Sequence, residues 1–278
     1  MARATLRVAL AQLRSGVDPG ANLVAAADFI RQAASAGARL VCTPENTTRM
    51  DRDRARLRAA LGSHDPAAEE RAWGRLAQEH GVFLSLGSTA IDAGDGRNFN
   101  RSLFFSPDGK KLASYDKINL FDVDLGGGEA YRESDGVAPG AKAVVAEGPL
   151  GARIGFSICY DVRFGELYRA LAGAGAEIIL VPAAFTRPTG EAHWETLLRA
   201  RAIETGAFVL AAAQGGVHED GRGTWGRSVA IDPWGAVIAK LDHDEPGLLV
   251  VDLKLDAVAE ARAKIPAWQG GRPFTGPP

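Results

Sequence analysis

The stretch Ala152-Arg153-Ile154-Gly155-Phe156-Ser157-Ile158-Cys159-Tyr160-Asp161-Val162-Arg163-Phe164 starts as an apolar run and ends as the opening of a helix. Cys159 stands at the joint. A thiol at a strand-to-helix turn is held out from the end of a sheet, near helix N–H groups that favour a thiolate. That is a position for a covalent catalyst. The same residue also reads as a small buried hydrophobe, the common role of a free cysteine. The rest of the chain decides between the two.

Upstream, Leu6 to Leu13 alternates as a first strand. From Asn22 to Ala34, the residues Leu23, Ala26, Ala27, Ile30 and Ala34 repeat at helical spacing and predict an amphipathic helix ended by Gly37. Ala38 to Thr43 is a short buried strand. Pro44 cannot continue a central strand, so the chain leaves the sheet there. Glu45 then projects at the sheet end where ligands sit in α/β folds; its alternative is a solvated loop carboxylate. Asp65-Pro66 starts a helix to about His80, followed by Gly81 and a strand from Val82 to Leu86. Asn98 to Ser106 and Lys111 to Tyr115 form a hairpin around Pro107-Asp108-Gly109. Lys117 comes just past it, where a lysine commonly snorkels to solvent. Asp122 to Gly140 is a long loop with Gly126-Gly127-Gly128 and Glu133. It lacks the Gly-Lys-Ser/Thr of a phosphate loop, and ordered loops of that length tend to be functional.

Downstream of Cys159, Phe164, Leu167 and Leu171 mark one helical face. Glu177 to Pro182 is a buried strand. Gly190 to Thr205 is a helix with Trp194, Leu197, Leu198 and Ala202 inward. Strands follow at Ala207–Ala213, Gly226–Asp232, Val237–Leu241 and Leu248–Leu253, then a helix at Asp256–Lys264. Strands and helices mix without repeat or linker, which predicts one α/β domain over residues 1–278, with a core of 6–265 and an extended tail over 266–278.

A net charge of −2 suggests no basic face for nucleic acid. No apolar run reaches the ~20 residues of a membrane span, and the N-terminal residues lack the apolar region of a signal peptide. Two cysteines, Cys42 and Cys159, lean towards a reducing compartment. The expectation is a soluble, cytoplasmic protein. The histidines and cysteines show no metal-ligand spacing, and Cys42 reads as core.

Glu45, Lys117 and Cys159 each follow a strand-like run, and such ends converge on one crevice in α/β architectures. Together a carboxylate, an ammonium and a thiol can move a proton, lower a thiol pKa and hold an oxyanion. Thr43-Pro44-Glu45, Tyr115-Asp116-Lys117-Ile118 and Ser157-Ile158-Cys159-Tyr160-Asp161-Val162-Arg163-Phe164, in that order, resemble the three motifs of the nitrilase, or carbon–nitrogen hydrolase, superfamily. The resemblance runs from about Leu6 to Pro273. It implies a Glu45–Lys117–Cys159 triad, a further active-site glutamate at Glu133, and an oxyanion donor at the Tyr160 N–H. It also implies an α-β-β-α sandwich that pairs into an eight-layer homodimer, with no metal or organic cofactor. Thr189 to Glu195, Arg199 to Ala202 and Trp225-Gly226-Arg227-Ser228 resemble the Nit amidase branch, although members often carry histidine where Arg227 stands.

The activity so implied is hydrolysis of a linear amide through a thioester on Cys159, releasing a carboxylate and ammonia. The implied substrates are ω-amides with a distal carboxylate, such as deaminated glutathione or α-ketoglutaramate. Nitriles and N-carbamoyl compounds are alternatives, since the same triad serves all three. Arg163 and Arg187 are candidates for binding the substrate carboxylate, with Phe185 and Thr186 beside them. A Cys-His hydrolase using His193 or His218 is the rival chemistry, without a cysteine-protease signature to support it. A non-catalytic binding protein on the same fold is the rival class.

Overall fold

The computed structural model describes residues 4–126 and 130–276. Gly127 and Gly128 of the glycine run, the first three residues, and Pro277 and Pro278 of the tail lie outside the described residues.

In chain order the strands begin with β1 (Thr5–Gln12), β2 (Leu40–Cys42), β3 (Phe83–Asp92), β4 (Asn98–Phe105) and β5 (Lys111–Asp116). A short pair follows, β6 (Asp122–Asp124) and β7 (Ala130–Arg132), then β8 (Val145–Glu147), β9 (Arg153–Phe156) and β10 (Ile178–Leu180). The rest are β11 (Phe208–Ala211), β12 (Gly215–Val217), β13 (Gly223–Trp225), β14 (Val229–Ile231), β15 (Val237–Lys240) and β16 (Gly247–Lys254). The helices are α1 (Pro19–Ser35), α2 (Arg54–Gly62), α3 (Pro66–His80), α4 (Gly165–Gly173), α5 (Arg187–Thr205) and α6 (Asp256–Lys264).

Two six-stranded sheets result, in the orders β16-β1-β2-β3-β4-β5 and β15-β14-β11-β10-β9-β8. Each has a parallel centre, β1–β2–β3 in one and β9–β10–β11 in the other, flanked by antiparallel strands. Strand alternation sets the layers. In β1, Leu6, Val8 and Leu10 face the second sheet, where they join Phe104, Ile154, Phe156 and Ile178 in one buried cluster. Ala9 and Ala11 face the other way, onto Ala26, Ile30, Ala33, Trp73 and Ala77 of α1 and α3. Leu167 and Leu171 of α4 and Leu198 of α5 cover the second sheet. The architecture is an α-β-β-α sandwich.

Helix punctuation accounts for most boundaries. Asp65 caps α3, Pro66 starts it, and Gly81 ends it in the left-handed region at φ 63°. Asp18 caps α1, with Pro19 at its first turn, so this helix begins ahead of the expected Asn22. α5 likewise starts at Arg187, with Pro188 in its first turn, rather than at Gly190. α2 was not expected. It buries none of its residues, so it has no core-facing stripe to read. No helix among the described residues is long and apolar enough to cross a membrane.

Candidate active site

The site gathers at the carboxyl ends of the central strands, the position open to ligands in α/β sheets. β2 ends into Thr43-Pro44-Glu45, and Asn46 follows in the left-handed region at φ 56°. Gly87 of β3 lies against the Thr43 and Pro44 carbonyls so closely that a Cβ there would collide with both. Lys117 leaves β5 with its N–H on Asn100 O at 2.9 Å.

Cys159 comes three residues after β9 and opens a 3-10 turn over Cys159–Arg163. It sits at φ 49°, a sparsely populated value for a residue with a Cβ. Asp161, fully buried, holds this turn. Its Oδ2 accepts from the Ile158 N–H at 2.9 Å and the Tyr115 hydroxyl at 2.7 Å. Its Oδ1 accepts from the Asn119 N–H at 2.8 Å and Nδ2 at 2.9 Å. Asp161→Ala would strand these donors in the interior. The expected loss is about 3 kcal/mol of stability, checked by chemical denaturation; an unchanged midpoint would remove Asp161 from the account of the turn.

Glu45, Lys117 and Cys159 are 3 %, 2 % and 7 % exposed. Lys117 Nζ lies 2.8 Å from Glu45 Oε1 and 2.9 Å from Glu133 Oε2. Glu45 Oε1 also accepts from Asn100 Nδ2 at 2.9 Å, and Oε2 accepts from the Ala184 N–H at 2.9 Å. Glu133 Oε2 accepts from the Phe121 N–H at 2.6 Å. The Cys159 thiol lies close enough to Glu45 and Lys117 for both charges to shift its pKa.

The electrostatics place the proton on sulfur. Burial pushes the Cys159 pKa well up, the Glu45 carboxylate adds to the rise, and Lys117 only partly opposes it. Burial would raise Glu45, but Lys117 and the hydrogen bonds outweigh it and hold the carboxyl below its usual range. Burial would lower Lys117, but Glu133 and Glu45 raise it well above an ordinary lysine. The resting site is therefore a thiol, a carboxylate and an ammonium. This corrects the expectation of a thiolate favoured by a helix terminus. The turn at Cys159 is a five-residue 3-10 turn, and burial together with the facing Glu45 charge holds the thiol pKa up.

A cavity of about 760 Å³ opens over this group, with Asn100, Tyr160, Phe185 and Thr186 also on its wall. Arg163 and Arg187 do not line it. Arg163 lies over the rings of Tyr160 and Phe185 at 5.6 and 5.7 Å and meets His193 Nδ1 at 3.3 Å. Arg187 is drawn off by Asp244 at 2.8 Å. Neither guanidinium, expected as a partner for a substrate carboxylate, is thus brought onto the cavity wall. His218 is buried, with its ring nitrogens on Ser15 O at 2.9 Å and Thr224 Oγ1 at 2.7 Å, and neither it nor His193 reaches the cavity.

Asn100 and the Ala184 N–H were missed in the sequence. A signal for Asn100 existed: Asn98, Asn100 and Ser102 put polar side chains at every second position of β4, all buried. No comparable signal marks a backbone N–H. Among the described residues, no group of three or more His, Cys, Asp or Glu side chains could hold a metal ion.

Residues 7–263 match the profile of the carbon-nitrogen hydrolase family. The chain belongs to that family. A deaminated glutathione amidase from Yersinia enterocolitica is 41 % identical over 95 % of this chain and 92 % of its own length. Omega-amidase NIT2 from Homo sapiens is 33 % identical over 96 % of this chain and 95 % of its own. The C. elegans NitFhit protein superposes with a TM-score of 0.89 at 34 % identity, covering 98 % of this chain and 66 % of that one. A glutamate-to-glutamine mutant of an amidase from Nesterenkonia sp. AN1, captured after Michael addition of acrylamide at its active-site cysteine, superposes with a TM-score of 0.79 at 30 % identity, covering 94 % of this chain and 98 % of that one. As a carbon-nitrogen hydrolase, the chain carries the αββα sandwich of these relatives and is an amidohydrolase that acts on a linear C–N amide through a cysteine nucleophile.

Proposed function

We propose that Cys159 is that nucleophile and Glu45 its general base, with Lys117, Glu133 and the Tyr160 N–H completing the machinery. The observation that carries this reading is the buried Lys117 bridge between Glu45 and Glu133 beside the protonated thiol. Glu45 takes the thiol proton as Sγ bonds to the amide carbon. The oxyanion so formed is held by Lys117 and the Tyr160 N–H. An ammonium has three donors; two serve Glu45 and Glu133, and the third is left for the oxyanion. The Cys159 N–H is already spent on Pro182 O at 2.9 Å, so the next N–H, that of Tyr160, is the backbone donor. Glu45 passes its proton to the nitrogen, the C–N bond breaks and the amine departs. Water then gives a proton to Glu45 and its oxygen to the thioester, the C–S bond breaks, and the proton returns to sulfur. Glu133 fixes the Lys117 ammonium throughout.

We take the substrate to be deaminated glutathione or a similar ω-amide such as α-ketoglutaramate, a reading supported by the 41 % identity to the Yersinia enterocolitica enzyme. From α-ketoglutaramate the departing nitrogen is ammonia. From deaminated glutathione it is the amine of cysteinylglycine. The test is parallel turnover of these two compounds, an N-carbamoyl amino acid and a simple nitrile. The ω-amides are expected to lead by about 100-fold or more in kcat/KM. Faster turnover of the nitrile or the carbamoyl compound would refute the choice.

We also propose that the chain, read as one domain, pairs through its α5 layer into an eight-layer dimer. Ile203 on α5 and Trp234 are each more than half exposed, and Ile203 lies against Gly235 beside that tryptophan. Sedimentation equilibrium is expected to return twice the monomer mass; the monomer mass at micromolar protein would contradict this.

A further inference from the structure

α2 poses a problem of its own. A helix is normally held by an apolar face packed on the core, yet none of its residues is buried. Its ordered face is Arg54, Leu57, Arg58 and Leu61, spaced i, i+3, i+4 and i+7. All of them line the cavity that holds Glu45, Lys117 and Cys159. The apolar stripe of this helix therefore forms part of the cavity wall.

Its charges fall into two kinds. Arg54 fastens the helix to the Glu133 segment, through Asp135 at 3.1 Å and the Arg132 carbonyl at 2.6 Å. Arg56, which does not line the cavity, binds Asp51, which does, at 2.7 Å. Arg52 and Arg58 also line the cavity, and neither has a carboxylate or hydrogen-bond partner among the described residues. The same wall carries Asp51, which is taken by Arg56, and Asp92, which accepts the Gly94 N–H at 2.9 Å, so neither carboxylate pairs with Arg52 or Arg58. The forked donors of these two arginines match a carboxylate in two-bond geometry.

We propose that the cavity face of α2 is the subsite for a remote carboxylate of the amide substrate, with Arg52 and Arg58 on the anion and Leu57 and Leu61 along the chain leading to it. This rests on the amide reading above and adds to it the residues that hold the anion remote from the scissile bond. Two sources share that chemistry, a carboxylate on the acyl part and one on the departing amine.

The experiment measures binding by calorimetry to Cys159→Ala, in which no turnover intervenes, with and without Arg52→Gln and Arg58→Gln together. The ligands are deaminated glutathione, its glycine methyl ester, α-ketoglutaramate and neutral butyramide. The paired substitution is expected to weaken deaminated glutathione about 20-fold, to flatten the dependence of its Kd on salt, and to be partly rescued by lysine at both positions. Full loss restricted to deaminated glutathione, with its ester and α-ketoglutaramate unaffected, assigns the carboxylate of the departing amine. Loss shared by the ester and α-ketoglutaramate assigns the acyl carboxylate. A change under twofold for every anionic ligand, or an equal loss for butyramide, overturns the proposal. Because Arg52 and Arg58 are both exposed, these variants are expected to keep the wild-type unfolding temperature. Wild-type turnover of the same amides, measured separately, judges the amidase reading, so either can fail without the other.

Discussion

Glu45→Gln and Cys159→Ala are each expected to lower amide turnover by about 10⁴-fold, and the double variant by little more than either alone. Residues that act as one unit do not add. The two single variants differ in a second measurement. In the wild type the thiol pKa is held up by burial and by the Glu45 charge, against the pull of Lys117. Glutamine removes the charge and leaves the ammonium, so the thiol pKa falls. Alkylation of Glu45→Gln by iodoacetamide is therefore expected to be faster than that of the wild type at pH 7.5, by about 10-fold, while hydrolysis is lost. Wild-type alkylation should rise about tenfold per pH unit up to and beyond pH 9, since the thiol is protonated below its raised pKa. Slower alkylation of Glu45→Gln would mean that Glu45 activates sulfur in the resting enzyme, contrary to the proton placement derived above.

Lys117→Met should damage both catalysis and the fold. It removes the only cation bonded to both Glu45 and Glu133 among the described residues, inside a site where Lys117 is 2 % exposed. Removing one partner of a buried ion pair leaves charge uncompensated, at a cost of about 3–5 kcal/mol. The sign with pH follows from the shifts. Glu45 is depressed in the folded state, so its pairing with Lys117 contributes stability above the unfolded carboxylate pKa of about 4.3 and loses it as pH falls through the lower folded value. Lys117 is raised, so its contribution is fully present throughout the acid and neutral range. The deficit of Lys117→Met is therefore largest near pH 7 and narrows on acidification, as the stranded carboxylates take up protons. Denaturation midpoints at pH 7 and pH 4 test this. A deficit that is constant or grows towards pH 4 would show that Lys117 does not neutralise this pair. Turnover should fall by about 10³-fold even where the variant is folded, because an oxyanion donor is gone.

Legibility in the sequence followed the range of the physics. Where a boundary is made by residues next to it, it could be read: Asp65-Pro66 and Gly81 bracket α3, and α6 runs over the expected Asp256–Lys264. The strand ends carrying Glu45, Lys117 and Cys159 could also be read, since proline and apolar runs mark them locally. Three things depended on distant neighbours. α2 has no core face, so periodicity against the core is silent on it. Arg187 sits within two residues of cavity-lining Phe185 and Thr186, and only the position of Asp244 shows that it turns away. The state of the thiol depends on Glu45, which is remote in sequence and adjacent in space. Asp161, close to the nucleophile in sequence, was read as part of a motif, while its role as the clasp of that motif needed Tyr115 and Asn119 from another sheet's margin.

The pairing of β1 with β16, Thr5 opposite Lys254 and Gln12 opposite Gly247, has a kinetic consequence. The strand that borders the first sheet is synthesised more than 230 residues after the one it pairs with. Until it arrives, β1 presents an open edge to solvent and to other chains. Closing so large a loop is slow. Glu45 and Lys117 extend from that sheet and Cys159 from the other, so nascent chains acquire helices and local hairpins well before they acquire a reactive centre. During synthesis the base and the ammonium thus emerge well before the thiol, and the reactive centre can close only once strands of both sheets have been made.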